Sequence, residues 1–288
     1  MTQPTRAPSD DFPFVQRPDV ERERPLVVSV PHSGERLPEG GPSGPAYAIN
    51  MQGLLRDGDL YVDDLYADAV QEGATVISTP WSRFVVDLNR MPDDVSEKAV
   101  SGRTARACEG YYGDRGVIWA VSTRSERIYE RPLTDEEFEA RLRQYYHPYH
   151  DALSAELVRL RARFGYVVLL DAHSMPSRAT RLHRDPGRKR PDIIPGDAHG
   201  KSCSPAFSRG TLEFWRSMGF NVTMNFPYAG GATTRRYGRP DDDVHAIQIE
   251  LNRRLYMNES TLERTGEFNR LRQRCREYVK FAAGWVPG

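Results

Sequence analysis

Apolar positions along the chain follow two rhythms: short unbroken runs of aliphatic residues, and longer stretches that repeat every three to four positions. Leu26-Val-Val-Ser-Val30 is a run of the first kind, ends at Pro31-His32, and reads as a strand buried on both faces. Thr75 to Thr79, Phe84-Val-Val-Asp-Leu88, Phe220 to Phe226 and Ala246 to Leu251 read as further strands, and Gly165-Tyr-Val-Val-Leu-Leu170 as the strongest of all. Residues 59–72 place Leu60, Val62, Leu65, Tyr66, Ala69 and Val70 at helical spacing. Thr134-Asp-Glu-Glu137 has the form of a capping box, in which Thr and Glu each satisfy an orphan backbone donor. The helical pattern it opens runs to Phe164, is interrupted at Pro148, and meets Gly165 as its C-cap. Residues 204–218 and about 260–283 read as helices too.

Two stretches lack a clear period. Residues 91–133, rich in Gly, Arg and Tyr, read as an irregular insertion with short strands around Val117 to Val121 and Arg127 to Tyr129; residues 175–203 read as a long charged loop. Strands alternating with helices predict an α/β fold, a mixed parallel and antiparallel sheet with helices on both faces. Residues 1–24 are expected to form a polar N-terminal arm and residues 25–288 a single domain.

Composition narrows the function without naming it. With 39% hydrophobic and 28% charged residues, the chain is ordinary for a folded globule and far from a disordered one. Forty basic residues balance forty acidic ones, so no global field draws in nucleic acid or an anionic membrane, and neither is expected as a partner. The basic cluster from Arg178 to Arg190 reads as a solvated loop. Cys108, Cys203 and Cys275 are too far apart for a CxxC metal site or a disulfide framework. With no apolar leader at the start and no run long enough to span a bilayer, the expected compartment is the cytoplasm.

Chemically capable side chains gather where the predicted strands end: His32, the segment Arg83 to Arg90, Asp171 with His173, and Glu250. In open α/β sheets, sites form in the crevice beyond the strands' carboxyl ends. Two histidines with carboxylates there are the raw material of a catalytic zinc site with three protein ligands and one open position. His32-Ser-Gly-Glu35 could bring an imidazole and a carboxylate to one metal if Gly34 allows a tight turn, and His173 could supply the second imidazole. Asp59, among the acids at a predicted helix start, competes with Glu35 for the third position. Arg83 could polarise a carbonyl, and Asn89 with Arg90 could grip a carboxylate. Glu250, an acid in an apolar strand, is costly unless used, as a shielded general base would be. Gly230 to Gly238, with Arg235 and Arg236 at its end, reads as a flexible loop able to close over an anion. His147 and His150 read as structural, and Ser-Cys-Ser at 202–204 lacks the context of a nucleophile elbow.

As a set these residues resemble the N-formylglutamate amidohydrolase family. The likeness rests on Pro31-His-Ser-Gly34, the Asp59 to Tyr66 segment, Ser82-Arg-Phe-Val-Val-Asp-Leu-Asn-Arg90, Asp171-Ala-His-Ser174, residues 196–203, Gly230 to Gly238, and Gln248-Ile-Glu-Leu-Asn-Arg253, in that order. The family is similar in turn to zinc carboxypeptidases and aspartoacylases, which implies a zinc-carboxypeptidase-like (phosphorylase/hydrolase-like) fold. The resemblance also implies one Zn2+ per chain, or another divalent ion such as iron, cobalt or manganese. His32 and His173 with Glu35 or Asp59 would hold it, Arg83 would contact the carbonyl, Asn89 and Arg90 the α-carboxylate, and Glu250 would act as base. The implied reaction converts N-formyl-L-glutamate to formate and L-glutamate, with cationic residues including Arg90, Arg235 or Arg236 gripping this small anionic N-acyl amino acid. Members from histidine degradation carry Tyr-Pro-Gly-Gln and Thr-Thr-Gly-Leu segments where residues 108–129 here read differently. The rival readings are a deacylase of another N-acyl amino acid, a small-peptide hydrolase, and a metal-free binding protein on the same scaffold.

Overall fold

The structure, a computed structural model, describes residues 12–38, 44–104 and 113–288; Cys108 and residues 1–11 of the expected arm lie outside them. Six strands build one sheet: β1 (Phe14–Gln16), β2 (Leu26–Val30), β3 (Thr75–Ser78), β4 (Val167–Met175), β5 (Ile193–Gly196) and β6 (Val244–Asn252). Their order is β1-β3-β2-β4-β6-β5. The four inner strands run parallel, and β1 and β5 are antiparallel edges. The helices are α1 (Met51–Leu55), α2 (Val62–Leu65), α3 (Asp135–Arg141), α4 (His147–Phe164), α5 (Pro205–Ser217), α6 (Ala232–Tyr237) and α7 (Phe268–Ala283). The expected mixed α/β architecture is the one observed.

The two-residue period of the strands sorts their side chains into two cores. From β4, Val168, Leu170 and Ala172 pack with Phe207 and Trp215 of α5 and Tyr278 of α7. Val167 and Leu169 point the other way, into a core with Phe138 of α3 and Tyr149 and Leu153 of α4. β6 divides likewise, with Ile247, Ile249 and Leu251 in the first core and Val244 and Ala246 in the second. Carried two residues at a time toward the carboxyl ends, the α4-side rows reach Asp171 and His173 on β4 and Gln248 and Glu250 on β6. The register sets Asp171 beside Gln248 and His173 beside Glu250. Alternation thus delivers four polar side chains to one face at one end of the sheet.

The capping box at Thr134 is present in both its hydrogen bonds, and Gly165 ends α4 with φ 84°. A π-helical turn at Leu142–Tyr146 joins α3 to α4 in one continuous run, and Pro148 follows directly after that turn, at the start of α4.

Other expectations are corrected. Phe84–Leu88 is not a strand; it is a buried irregular segment whose carbonyls are claimed by side chains. Arg141 donates to Val85 O (2.9 Å), the Tyr129 hydroxyl to Phe84 O, and His150 Nε2 lies 3.0 Å from Leu88 O. The helix expected over 59–72 shrinks to α2, because Tyr61 adopts φ 66° and the backbone from Tyr66 to Gly73 is closed by turns with i→i+3 hydrogen bonds. Phe220–Phe226 contributes one bridge, Ile193 to Val222, and the strands near 117–129 are likewise isolated bridges. Conversely β5 lies inside the stretch read as a loop, and β1 belongs to the stretch read as an arm.

That N-terminal stretch is fastened to α4 by charge. Glu23, 4% exposed, accepts from Arg159 (2.6 and 3.0 Å) and from Arg163, while Glu156 accepts from Arg159 (2.8 and 3.0 Å) and Arg17. The Arg159 hydrogen bond outweighs burial and lowers the Glu23 pKa below its ordinary 4.5. A depressed carboxylate pKa stabilises the fold above the unfolded value and ceases to do so as pH falls through the folded one. Because the arginine ends are partly solvated, Glu23→Gln is expected to cost about 1 kcal/mol at pH 7. The expected fall in Tm is about 2–4 °C, and it should vanish once the pH is well below 4.5. Thermal melts across pH check this; an unchanged difference at low pH would contradict it.

Candidate metal centre and active site

His32 follows β2 directly, and its carbonyl accepts the backbone N–H of Asp59 (2.9 Å), so the turn before α2 is tied to the end of β2. His173 enters from β4. Among the described residues, His32, Asp59 and His173 form a buried group with donor atoms within 4.8 Å of one another. Asp59 Oδ2 lies 3.0 Å from His173 Nδ1 and 3.4 Å from His32 Nδ1, while Oδ1 accepts from Ser174 Oγ (3.1 Å) and Arg253 Nη2 (3.2 Å).

The other nitrogen of each ring is backed by a carboxylate. His32 Nε2 donates to Asp87 Oδ1 at 2.8 Å, and His173 Nε2 lies 3.1 Å from Asp171 Oδ1 and 2.9 Å from the Asn89 amide nitrogen. Burial raises the Asp87 pKa, but Arg83, His32 and Arg90 overcome it and hold the group well below the usual range. Asp87 is therefore an acceptor, His32 Nε2 carries the proton, and Nδ1 turns a lone pair inward. That Nδ1 is buried without a hydrogen-bond partner. An imidazole backed by a carboxylate in this way, offering Nδ1 beside a carboxylate oxygen, is suited to a divalent ion.

Charge agrees with this. Burial disfavours the imidazolium of His173, yet Asp171 and Asp59 outweigh it and raise the pKa well above 6.5. Burial likewise opposes ionisation of Asp59, and hydrogen bonds from His173 and His32 prevail, lowering its pKa well below 3.8. Three carboxylates, Asp59, Asp87 and Asp171, surround the two imidazoles, an arrangement in which a divalent ion could take the place of a proton. Zinc fits these donors, as do other divalent ions of similar preference.

Glu250 stands next to His173 across the β4–β6 ladder. Gln248 Nε2 donates to its Oε1 at 2.6 Å, whereas Oε2 is buried without a partner. Burial pushes its pKa up to about 7, with Asp59 adding and His173 opposing. A carboxylate with one anchored and one unengaged oxygen, ionising near neutrality, is suited to accept and return a proton.

These groups line a cavity of about 280 Å³, below the usual range for drug-sized ligands and matched to a small molecule. Seven arginines line it (Arg83, Arg90, Arg115, Arg184, Arg190, Arg235 and Arg253) against four acids, Asp57, Asp59, Asp185 and Glu250. Cationic side chains outnumber acidic ones on its wall.

Of the residues singled out in the sequence, His32, Asp59, His173, Arg83, Asn89, Arg90, Arg235 and Glu250 all meet in this cavity. Glu35 does not. A Cβ on Gly34 would lie 2.4 Å from Trp81 O, so that glycine serves close packing on the neighbouring segment. The chain then bridges Arg36 to Trp81, leaving Glu35 exposed. Arg236 is exposed as well, its guanidinium 5.3 Å from the Tyr237 ring. The Gly-rich segment is a helix, α6, rather than a loop. Gly231 N–H donates to Gln248 Oε1 (2.6 Å) and Thr233 N–H to Asn89 Oδ1 (2.9 Å). A Cβ on Gly231 would sit 2.3 Å from the Asn89 amide, so only glycine allows that approach. Asn89, with its oxygen held by Thr233 and its nitrogen at His173, orients the imidazole.

Arg115, His183, Arg184, Arg190 and Arg253 also reach the cavity, although none of them is among the site residues singled out in the sequence. Arg190 is buried in a two-pronged pair with Asp185 (2.9 and 3.0 Å), so the basic cluster at 178–190 is in part cavity wall. Asp-x-x-x-x-Arg at 185–190 is too common a spacing to signal this. Cys203 and Cys275 are buried free thiols, and no helix among the described residues is long and apolar enough to cross a membrane.

Comparison with known proteins places this geometry. The family model for N-formylglutamate amidohydrolase matches residues 24–257. The chain is 34% identical over 241 residues to the N-formylglutamate deformylase of Pseudomonas putida and 35% identical over 238 residues to that of Pseudomonas aeruginosa. Each match covers 82% of this chain and 83% of the relative. A crystal structure of N-formylglutamate amidohydrolase from Ralstonia eutropha JMP134 is similar with a TM-score of 0.86 and 32% identity, covering 94% of this chain and 97% of that one. With a family match across most of its length and relatives above 30% identity, this chain belongs to the N-formylglutamate amidohydrolase family.

Proposed function

We propose that the protein hydrolyses the formyl amide of N-formyl-L-glutamate, giving formate and L-glutamate, with a divalent ion, zinc first, held by His32, Asp59 and His173. The observation that carries this reading is the meeting, in one small arginine-lined cavity, of a buried His-Asp-His group with the unengaged oxygen of Glu250. A bound ion would supply Lewis acidity to the scissile carbonyl and lower the pKa of a water.

The chain's own residues do the rest. Glu250 Oε2 takes the proton of the attacking water and returns it to the departing amine, which leaves as L-glutamate. Gln248 holds Oε1 so that the other oxygen is the one presented. Arg83, fixed by Asp87 (2.6 Å) and by the Asp57 carbonyl (3.2 Å), faces the developing negative charge on the formyl oxygen. Arg90 and Arg235 grip the α-carboxylate. Asn89 and Asp87 hold the two imidazoles in line.

The test is formate release from N-formyl-L-glutamate by purified protein, with metal content measured on the same sample. Release that a chelator abolishes and zinc restores, with about one ion per chain, is the expected result. Bound metal with no formate release would redirect the reading to another N-acyl amino acid or a small peptide. Neither metal nor activity after zinc is added would leave a binding protein.

A further inference from the structure

The cavity's arginines differ in what already neutralises them. Arg83 is paired with Asp87, Arg190 with Asp185 and Arg253 with Asp59. Arg115 has no carboxylate partner among the described residues. Its Nη2 donates to the carbonyl of Leu182 (2.7 Å), a neutral acceptor. The nearby Asp57 carboxylate is engaged by Thr123 N–H (2.8 Å) and Thr123 Oγ1 (2.5 Å). Burial, then the neighbouring Arg90 and Arg83 guanidiniums, lower the Arg115 pKa from its ordinary value, with Asp57 opposing.

Arg115 is also held rigidly. Its carbonyl accepts Arg90 Nε (3.2 Å), Ala120 N–H donates to Asp114 O (2.8 Å), and the Val117 carbonyl accepts Asp87 N–H (2.8 Å). The turn so formed brings up Trp119, whose ring lies 4.5 Å from the Arg83 guanidinium and 5.8 Å from that of Arg115. Trp119 Nε1 donates to Asp87 Oδ2 (2.9 Å), which fixes the ring. One indole therefore spaces two cavity-lining guanidiniums, one neutralised and one not.

We propose that Arg115 is the specificity-determining residue of this cavity, receiving the side-chain carboxylate of a dicarboxylic N-acyl amino acid, with Trp119 setting its distance from Arg83 and the scissile amide. This rests on the proposed hydrolysis and adds the reason an acidic side chain is chosen over its neutral isostere. The loop after β4 completes the subsite by closing Leu182 onto Arg115. Arg235, the alternative anchor, reaches the cavity from α6 and serves the carboxylate common to all amino acids.

The experiment compares kcat/KM for N-formyl-L-glutamate and N-formyl-L-glutamine in the metal-loaded native protein, Arg115→Met, Arg115→Lys and Arg235→Met. The glutamate-to-glutamine ratio is expected to fall about 100-fold in Arg115→Met, carried mainly by KM. Arg115→Lys should recover part of it, and Arg235→Met should weaken both substrates alike. A ratio within about threefold of the native one in both Arg115 variants, or a selective fall in Arg235→Met instead, overturns the inference while leaving the hydrolase reading intact. A native protein that releases formate from neither compound sinks that reading and this inference together.

Discussion

Replacing His173 with alanine is expected to remove metal and activity together. His173 gives one of three donor atoms and is held by Asp59, Asp171 and Asn89 at 2.9–3.1 Å, so nothing nearby can substitute for its Nδ1. Loss of a Lewis acid worth several kcal/mol corresponds to a fall in kcat/KM of about 10³-fold or more. The check is metal analysis of the purified variant beside its formate release, with circular dichroism to establish that it folds. Asp59→Asn should behave the same way, whereas Glu35→Gln should keep both metal and rate, since Glu35 is exposed outside the cavity. Asp87→Asn removes only the backing of His32 and should weaken metal binding about 10–100-fold. Full metal content in His173→Ala would mean that the ion is held elsewhere.

Glu250→Gln is expected to separate binding from turnover. The amide keeps the shape and the Gln248 contact but cannot accept a proton, so kcat should drop about 10²–10⁴-fold while metal content stays the same. In the native protein the base must be ionised, so kcat/KM should decline on the acid side. Burial places that ionisation at about 7, and a bound cation would draw it lower. The variant should lose this acid limb. Stability should move the opposite way. A carboxyl whose folded pKa is raised from 4.5 to about 7 destabilises the fold progressively as pH rises through that window. The metal-free variant should therefore melt above the metal-free native protein at pH 8 and match it near pH 4. Equal melting at both pH values, with an unaltered pH–rate profile, would remove Glu250 from the base role.

Much of the sheet is legible in the sequence because strands buried on both faces leave unbroken apolar runs. β2 and β4 show themselves in this way, β3 by its β-branched residues and β6 by alternation, and alternation within β4 and β6 can be followed to Asp171, His173 and Glu250. The candidate metal group is legible as residue types at strand ends, but the sequence leaves Glu35 and Asp59 open where the backbone brings Asp59 to the two histidines. The deciding bond, Asp59 N–H to the His32 carbonyl, joins residues in different turns, and no local pattern encodes it. Phe84–Leu88 reads as a strand because its side chains are as buried as a strand's. What differs is the source of its hydrogen bonds, side chains of Tyr129, Arg141 and His150, which sequence periodicity does not see. The arginine wall is hidden for a related reason. Arg115, Arg190 and Arg253 come from three separate segments, and only the fold makes them neighbours.

Asp87 gathers four donors on one carboxylate: His32 Nε2, Arg83 Nη2, Trp119 Nε1 and the Asn89 backbone N–H. Alignment of the metal ligand, the carbonyl-facing cation and the ring beneath Arg115 is therefore a single mechanical setting. A mutation that tilts one tilts all three, and few such mutations can be tolerated in succession. The turn that carries Arg115 shares in that setting, since the Val117 carbonyl accepts the Asp87 N–H and the Arg115 carbonyl accepts Arg90 Nε. A descendant of this scaffold that alters which side chain it admits would have to do so without disturbing the groups aligned on Asp87.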